Sequence, residues 1–266
     1  MNTIVKCGLP WLRTMAVLVG LAAAGMGSAG TPGVYTQYVE PIRPGVAGFN
    51  ASTPRPIGKL FTNAGWCSAS VISPNNIIVT AAHCCWNRST NAWIGGWSFS
   101  VAYHNGDWVP RFPWQSATVL NSWRVNGDTP SDICLIRLLP NSAGHTVTWY
   151  AGWLGRMWDG GTILSQHALG YPNNIGGGNT LQLCTAESFS NAAAGCGGIS
   201  ILNMGCNMTF GASGGPWINR YRSNNYVDSV VHGWQSAACT GAFGTTFNGP
   251  RFTSGNIVPL CTAAGC

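Results

Sequence analysis

From about residue 56 the chain alternates short apolar runs with turn-forming residues. CSASVIS (67–73) and NIIVTAA (76–82) are rich in Val, Ile and Ser and are joined by Pro74, Asn75 and Asn76, a strand–turn–strand signal. SFSVAYH (98–104) and SATVL (116–120) read as further strands. DICLIRLL (132–139) is a nearly continuous apolar run interrupted by Arg137, the pattern of a strand buried on both faces. PNSAGHT (140–146) breaks the pattern and marks a joint between two halves. TILSQHALGYP (162–172), TLQLC (180–184), PWIN (216–219) and YVDSVVHGW (226–234) then continue it. No internal repeat has a fixed period, and no stretch predicts a helix of substantial length. The pattern predicts an all-β chain.

The N-terminus stands apart. Lys6 and Arg13 precede the apolar run MAVLVGLAAA (15–24), and small residues follow up to Ala29. Residues 1–29 read as a secretory signal, because the run is too short to span a bilayer. Residues 30–52, rich in Pro and Gly, read as a pro-segment or N-terminal arm. Composition supports a packed β domain: charged residues are 8%, with 36 Gly and 13 Trp, and Lys and Glu occur only twice each. Without the signal, 11 basic residues face 7 acidic ones, and the arginines are scattered singly. That excludes the basic stripe of a nucleic-acid binder. Ten cysteines remain after the signal, an even number that predicts disulfides in an exported chain, and no C-x-x-C pair suggests zinc. The expectation is a secreted monomer that takes no metal or cofactor and leaves the membrane once the signal is removed.

The candidate chemistry starts at FGASGGPW (210–217), which contains G-x-S-x-G around Ser213. This pattern serves as the nucleophile elbow of an α/β-hydrolase, as the nucleophile loop of a β-barrel protease, or as a glycine turn. A serine hydroxyl needs an adjacent base, and the base needs a group that fixes its tautomer. Five histidines exist: His83, His104, His145, His167 and His232. His83 follows an apolar strand in VTAAHCC, and Asp132 heads a buried run, where a carboxylate requires a partner. The order His83, Asp132, Ser213 disfavours the elbow, in which serine comes first. His104 and His145 lie in turn-like segments and read as solvated; His167 reads as packed in a strand. The tryptophans read as packing, with WIGGW (93–97) as an exposed patch.

TAAHC (80–84), DICLIRL (132–138) and GASGGP (211–216), in that order, resemble the chymotrypsin-like serine proteases. The resemblance spans about 56–257 and implies two antiparallel six-stranded β-barrels with the active site between them. It puts the protease domain at 53–266, with a first barrel at about 53–140, a second at about 146–258 and a tail at 259–266. It implies a polypeptide substrate, Ser213 as nucleophile, His83 as base, Asp132 as its orienter, and the N–H groups of Gly211 and Ser213 as the oxyanion hole. It also implies a Cys67–Cys84 disulfide. Cys184–Cys206 follows from the branch pattern described next. Cys261 and Cys266 are expected to tie down the tail, and Cys134, inside a core strand, to be a free thiol.

Departures from the family refine the expectation. Ala212 replaces the aspartate that pairs with a new N-terminus in trypsin, and no activation junction precedes the first strand. CNMTFGASGGPW (206–217) is more similar to the bacterial glutamyl-endopeptidase branch. Asn207 stands at trypsin's pocket base, followed by Met208, so selection for Arg or Lys is not expected. His232 is similar in placement to the histidine with which glutamyl endopeptidases bind a substrate carboxylate, or it serves a structural or apolar-pocket role. Phe210 stands where glycine is expected. Its bulk keeps open a protease-like binding or adhesion protein with impaired catalysis. For the enzyme, activity should rise with pH through a midpoint at about 6–7 as His83 loses its proton.

Overall fold

The structure, a computed structural model, describes residues 34–37, 55–240 and 246–266. The signal read at 1–29 lies outside the described residues, as does most of the arm read at 30–52. Six strands make the first half: β1 Ile57–Thr62, β2 Gly65–Ser73, β3 Ile77–Thr80, β4 Ser98–Val101, β5 Phe112–Val119 and β6 Cys134–Leu138. They close into a barrel in the order β1-β2-β3-β6-β5-β4. Side chains of adjacent residues point to opposite faces. Leu60, Val71, Ile78, Phe99 and Ile136 therefore fill the barrel. Ile72, Ile77, Val79 and Leu135 point outward, yet they are also fully buried, against Leu169, Ile218 and Val227 of the second half. This explains why NIIVTAA and DICLIRLL show no polar alternation.

The second half contains β7 Ser165–Gly170, β8 Gln182–Glu187, β9 Phe189–Asn191, β10 Gly198–Gly205, β11 Pro216–Asn219, β12 Tyr226–Val230, β13 Gly233–Trp234 and β14 Thr246–Pro250. They form two hydrogen-bonded sheets, β8-β7-β11-β12 and β9-β10-β14-β13, which meet where β8 lies beside β10 and β12 beside β14. Val34–Gln37 pairs antiparallel with β8 at the outer edge. Between the sheets lie Leu202, Met204, Trp217 and Phe247. The architecture is the expected all-β arrangement of two halves, each with its own core, joined across a third apolar cluster.

Four disulfides occur among the described residues: Cys67–Cys84, Cys85–Cys134, Cys196–Cys239 and Cys261–Cys266. Two expectations are corrected. Cys134 is bonded, because Thr80 sits opposite Cys134 in the β3–β6 register and brings Cys85 within reach. Cys184 and Cys206 are two buried thiols instead of a disulfide, with the Cys184 Sγ–H donating to the Gly205 carbonyl at 3.3 Å. The tail is helical over Ile257–Ala264, which the sequence reading missed. Pro259 falls in the first turn, where its missing N–H is not needed. The Asn256 side chain caps the helix by accepting the Ile257 N–H.

One buried acid lies away from the cleft. Asp228 on β12 is 4% exposed and accepts a hydrogen bond from Gln166 Nε2 at 2.7 Å. Burial pushes its carboxyl up to about 7. Between its ordinary value of about 3.8 and 7 the folded chain therefore holds a proton that the unfolded chain has lost. Stability from this group is full at acid pH and falls as pH rises through that window. Asp228→Asn is expected to remove this fall and to stabilise the protein by about 2–4 kcal/mol at pH 8, with little change at pH 4. Urea unfolding midpoints at the two pH values test it, and equal gains at both would refute it.

Candidate active site

β3 and β6 run side by side, and their paired ends set the first two functional groups. Three residues past Thr80, the turn Ala82–Cys84 carries His83. Two residues before Cys134, Asp132 closes the turn Thr129–Ser131. Two disulfides, through Cys84 and Cys85 directly after His83, fix its turn to β2 and β6. Asp132 is fully buried. Its Oδ1 accepts the His83 backbone N–H at 2.8 Å, and its Oδ2 accepts from His83 Nδ1 at 2.7 Å. A carboxylate only accepts, so the His83 proton sits on Nδ1 and leaves Nε2 as a base. Burial works against the Asp132 charge, but the charge of His83 and the N–H bonds from His232 and His83 hold the carboxyl well below the usual range. Burial likewise opposes a charged His83, yet the Asp132 charge and hydrogen bond outweigh it and raise the imidazole above its ordinary value.

Ser213 lies on the loop that enters β11, and the first barrel holds this loop in place. The Ser68 N–H donates to the Ser213 carbonyl at 2.8 Å. Ser68 Oγ donates to the Gly211 carbonyl and accepts the Tyr171 N–H, each at 2.8 Å. Gly211 has φ +91°, and a Cβ there would lie 2.2 Å from Trp66 Nε1, so no other residue fits. The Phe210 carbonyl accepts the Asn173 N–H at 2.7 Å. A trans peptide sets C=O and N–H on opposite sides, so the Gly211 N–H points away from the Asn173 loop. The Phe210 side chain is 73% exposed and meets Trp234 edge-to-face. Its bulk lies outside the loop, against Trp234.

The trypsin family profile matches residues 47–248. The chain belongs to the trypsin family. It is a serine-type peptidase, and solved proteases share its fold. The protease Anisep from Arthrobacter nicotinovorans is 25% identical, with a TM-score of 0.69, over 81% of this chain and 98% of its own. The thermostable serine protease AL20 from an extremophilic microorganism is 23% identical, with a TM-score of 0.69, over 80% of this chain and 99% of its own. A Glu endopeptidase in complex with MPD is 15% identical, with a TM-score of 0.68, over 86% of this chain and 95% of its own. No protein of curated function matches the chain.

In this trypsin-family protease, His83 and Ser213 line one cleft of about 240 Å³. Its walls are Val231, Phe247, Trp234 and Phe210, with Thr209 and His232 as the polar members besides His83 and Ser213. Two residues expected in the substrate pocket are elsewhere. Met208 is fully buried in the core of the second half, and Asn207 is exposed, its carbonyl accepting from Asn174 Nδ2. Cys206 and Met208 are buried on either side of the exposed Asn207. Thr209, one position on, reaches the cleft. His232 lines the cleft, but its Nδ1 donates to Asp132 Oδ2 at 2.5 Å. His83, Asp132 and His232 bring ligand atoms within 4.8 Å of one another, as a metal site would. Both Nδ1 hydrogens are bonded to Asp132, however, and a metal would have to displace them. His145, half-buried, stacks on the exposed Trp149 ring at 4.1 Å.

The sequence reading also missed supporting residues. Lys59, 4% exposed, donates to the Gly178 carbonyl at 2.7 Å and lies 4.4 Å from the Trp66 ring. Burial lowers its pKa, followed by the Arg111 charge. Trp66 Nε1 in turn donates to the Tyr171 carbonyl at 2.9 Å. Together they brace the loop that anchors Phe210. One signal was visible: Lys59 is one of two lysines in the chain and interrupts an apolar strand. Trp123, buried on the helix Asn121–Asn126, packs 6.4 Å from His83 and 6.1 Å from His232 between ring centroids.

Proposed function

We propose that this protease is a secreted serine endopeptidase working through an acyl-enzyme, with selectivity for an apolar side chain before the scissile bond. The observation that carries the reading is His83 held by Asp132 in the cleft that Ser213 also lines. Ser213 Oγ attacks the carbonyl carbon as His83 Nε2 takes its proton. The Gly211 and Ser213 N–H groups stabilise the oxyanion. His83 then protonates the leaving amine, and water hydrolyses the ester by the same route in reverse. The cleft lining includes no carboxylate, so Arg and Lys side chains would lose their charge partner there. Four disulfides and the apolar run at 15–24 support export.

The test is labelling with a fluorophosphonate, with the modified residue mapped by mass spectrometry, followed by a peptide library. Labelling at Ser213 and cleavage after Leu, Phe or Tyr are expected. Labelling elsewhere, or none, would refute the nucleophile assignment; dominant cleavage after Arg, Lys or Glu would refute the apolar pocket. The acid limb of kcat/KM should have its midpoint above the ordinary imidazole value of about 6.5, because the Asp132 charge and hydrogen bond outweigh burial and favour the charged imidazole of His83. A midpoint below that value would count against His83 as the base.

A further inference from the structure

Lys59 on β1 lies diagonal to Trp66 on β2, because Ser68 is its direct partner across the ladder. Its ammonium stands 4.4 Å from the centre of the Trp66 ring, 4.7 Å from Tyr103 and 5.2 Å from Phe61, and it donates to the Gly178 carbonyl at 2.7 Å. The negative faces of such rings hold a desolvated ammonium. Gly178 closes the loop 172–178, since its N–H donates to the Pro172 carbonyl at 3.0 Å. That loop grips the residues before Ser213. The Asn173 N–H donates to the Phe210 carbonyl at 2.7 Å. Asn174 Oδ1 accepts the Thr209 N–H, and Asn174 Nδ2 donates to the Asn207 carbonyl, each at 3.0 Å. The Trp66 indole lies against both segments: a Cβ on Gly178 would come 2.5 Å from its Cζ2, and one on Gly211 2.2 Å from its Nε1. Glycine lets the Phe210–Gly211 peptide rotate at little steric cost, so its orientation depends on these contacts.

We infer that Lys59 is a positioning residue for the reaction: through Gly178 and Trp66 it holds the Phe210–Gly211 peptide so that the Gly211 N–H faces the substrate carbonyl. This rests on the triad and oxyanion reading above. The ammonium ties the loop 172–178 to the first barrel by one hydrogen bond and seats the indole by a ring contact. Without charge and donor the loop loses that tie. The Asn173 N–H is then no longer held against the Phe210 carbonyl, and the peptide is free to turn. A neutral substrate carbonyl needs the Gly211 N–H less than the oxyanion does, so the loss falls on kcat and leaves ground-state binding intact.

Lys59→Met keeps the length of the side chain without its charge or donor. Its kcat on a peptide amide should fall about ten- to a hundredfold, with KM within about twofold of wild type. A peptide aldehyde ending in the residue that wild type cleaves after is compared with the matching alcohol. Ser213 Oγ adds to the aldehyde carbon, its proton passes to His83, and the carbonyl electron pair moves to the oxygen, leaving an oxyanion beside the Gly211 N–H. The alcohol binds without forming that bond. The variant should bind the aldehyde about tenfold more weakly or worse, and the alcohol as wild type does. The full-length protease is used throughout, with fluorophosphonate labelling of wild type and thermal unfolding in parallel. A wild type that fails to label would sink the triad reading and this inference with it. If wild type labels and Lys59→Met keeps kcat and aldehyde affinity within about threefold, the inference alone is overturned. Equal weakening of aldehyde and alcohol would mean a deformed cleft and would also refute it. Should Lys59→Met not fold, Trp66→Phe decides. It keeps a ring beside Lys59 but drops the Nε1–H that bonds the Tyr171 carbonyl at 2.9 Å. The same selective loss is expected there, and wild-type kcat and aldehyde affinity in that variant would refute the inference.

Discussion

Ser213→Ala and His83→Ala are each expected to lower kcat by about 10⁶, and the double variant by no more than either alone. Nucleophile and base act as a unit. Without the Ser213 hydroxyl there is nothing for His83 to deprotonate, and without His83 the hydroxyl stays protonated at neutral pH. What remains is the oxyanion donors and the cleft, which neither substitution touches: Gly211 is held by Ser68 Oγ, and the cleft walls by the second-half core. Those parts sustain a residual rate of about 10³ over water. Single-turnover hydrolysis of an activated peptide ester would measure all three variants, with wild type as the reference. Two results would reject the assignment. One is a single variant retaining more than about 1% of wild-type kcat. The other is a double variant far slower than either single one, which would mean independent contributions.

The candidate catalytic residues were legible because each sits in a short contiguous motif. TAAHC and DICLIRL announce themselves through an ionisable residue placed against an apolar strand. Such a residue needs a partner, and the chain is poor enough in charge to leave few candidates. The supporting residues were not legible, because their roles exist only across long separations. Ser68 meets Gly211 from 143 positions away, and Lys59 meets Gly178 from 119. Nothing in CSASVIS marks its first serine as the post on which the Gly211 loop hangs.

The errors share a cause: position along the chain was read as position in space. Met208 and Asn207 were assigned to the pocket by counting back from Ser213. The fold puts Met208 in the core and leaves Asn207 exposed to solvent. Cys134 was read as free because it lies inside a core strand, but register places it opposite Thr80 and hence near Cys85. His232 was read as binding a substrate carboxylate or as serving a structural or apolar-pocket role; the fold gives it a carboxylate of the protein itself, that of Asp132, one hundred positions earlier in the chain.

Asp132→Asn is expected to lower kcat about 10⁴-fold with little loss of stability. The amide oxygen can still accept the His83 backbone N–H, as Oδ1 does. Its NH2 group then faces His83 Nδ1, where wild type presents an acceptor. Two donors cannot bond, so the imidazole proton moves to Nε2 and Nδ1 becomes the acceptor. Nε2 is the nitrogen that must take the Ser213 proton, and it is then already protonated. The same amide also faces His232 Nδ1 and flips that ring's tautomer too. Asp132→Ala separates chemistry from folding. It leaves three N–H donors, two from His83 and one from His232, around a site that water does not reach, and should destabilise the protein by about 3 kcal/mol or more. Thermal unfolding and kcat measured on the same samples distinguish the two variants. If Asp132→Asn kept more than about a tenth of wild-type kcat, tautomer control by Asp132 would be wrong. If Asp132→Ala melted with wild type, the three hydrogen bonds would not be made in solution.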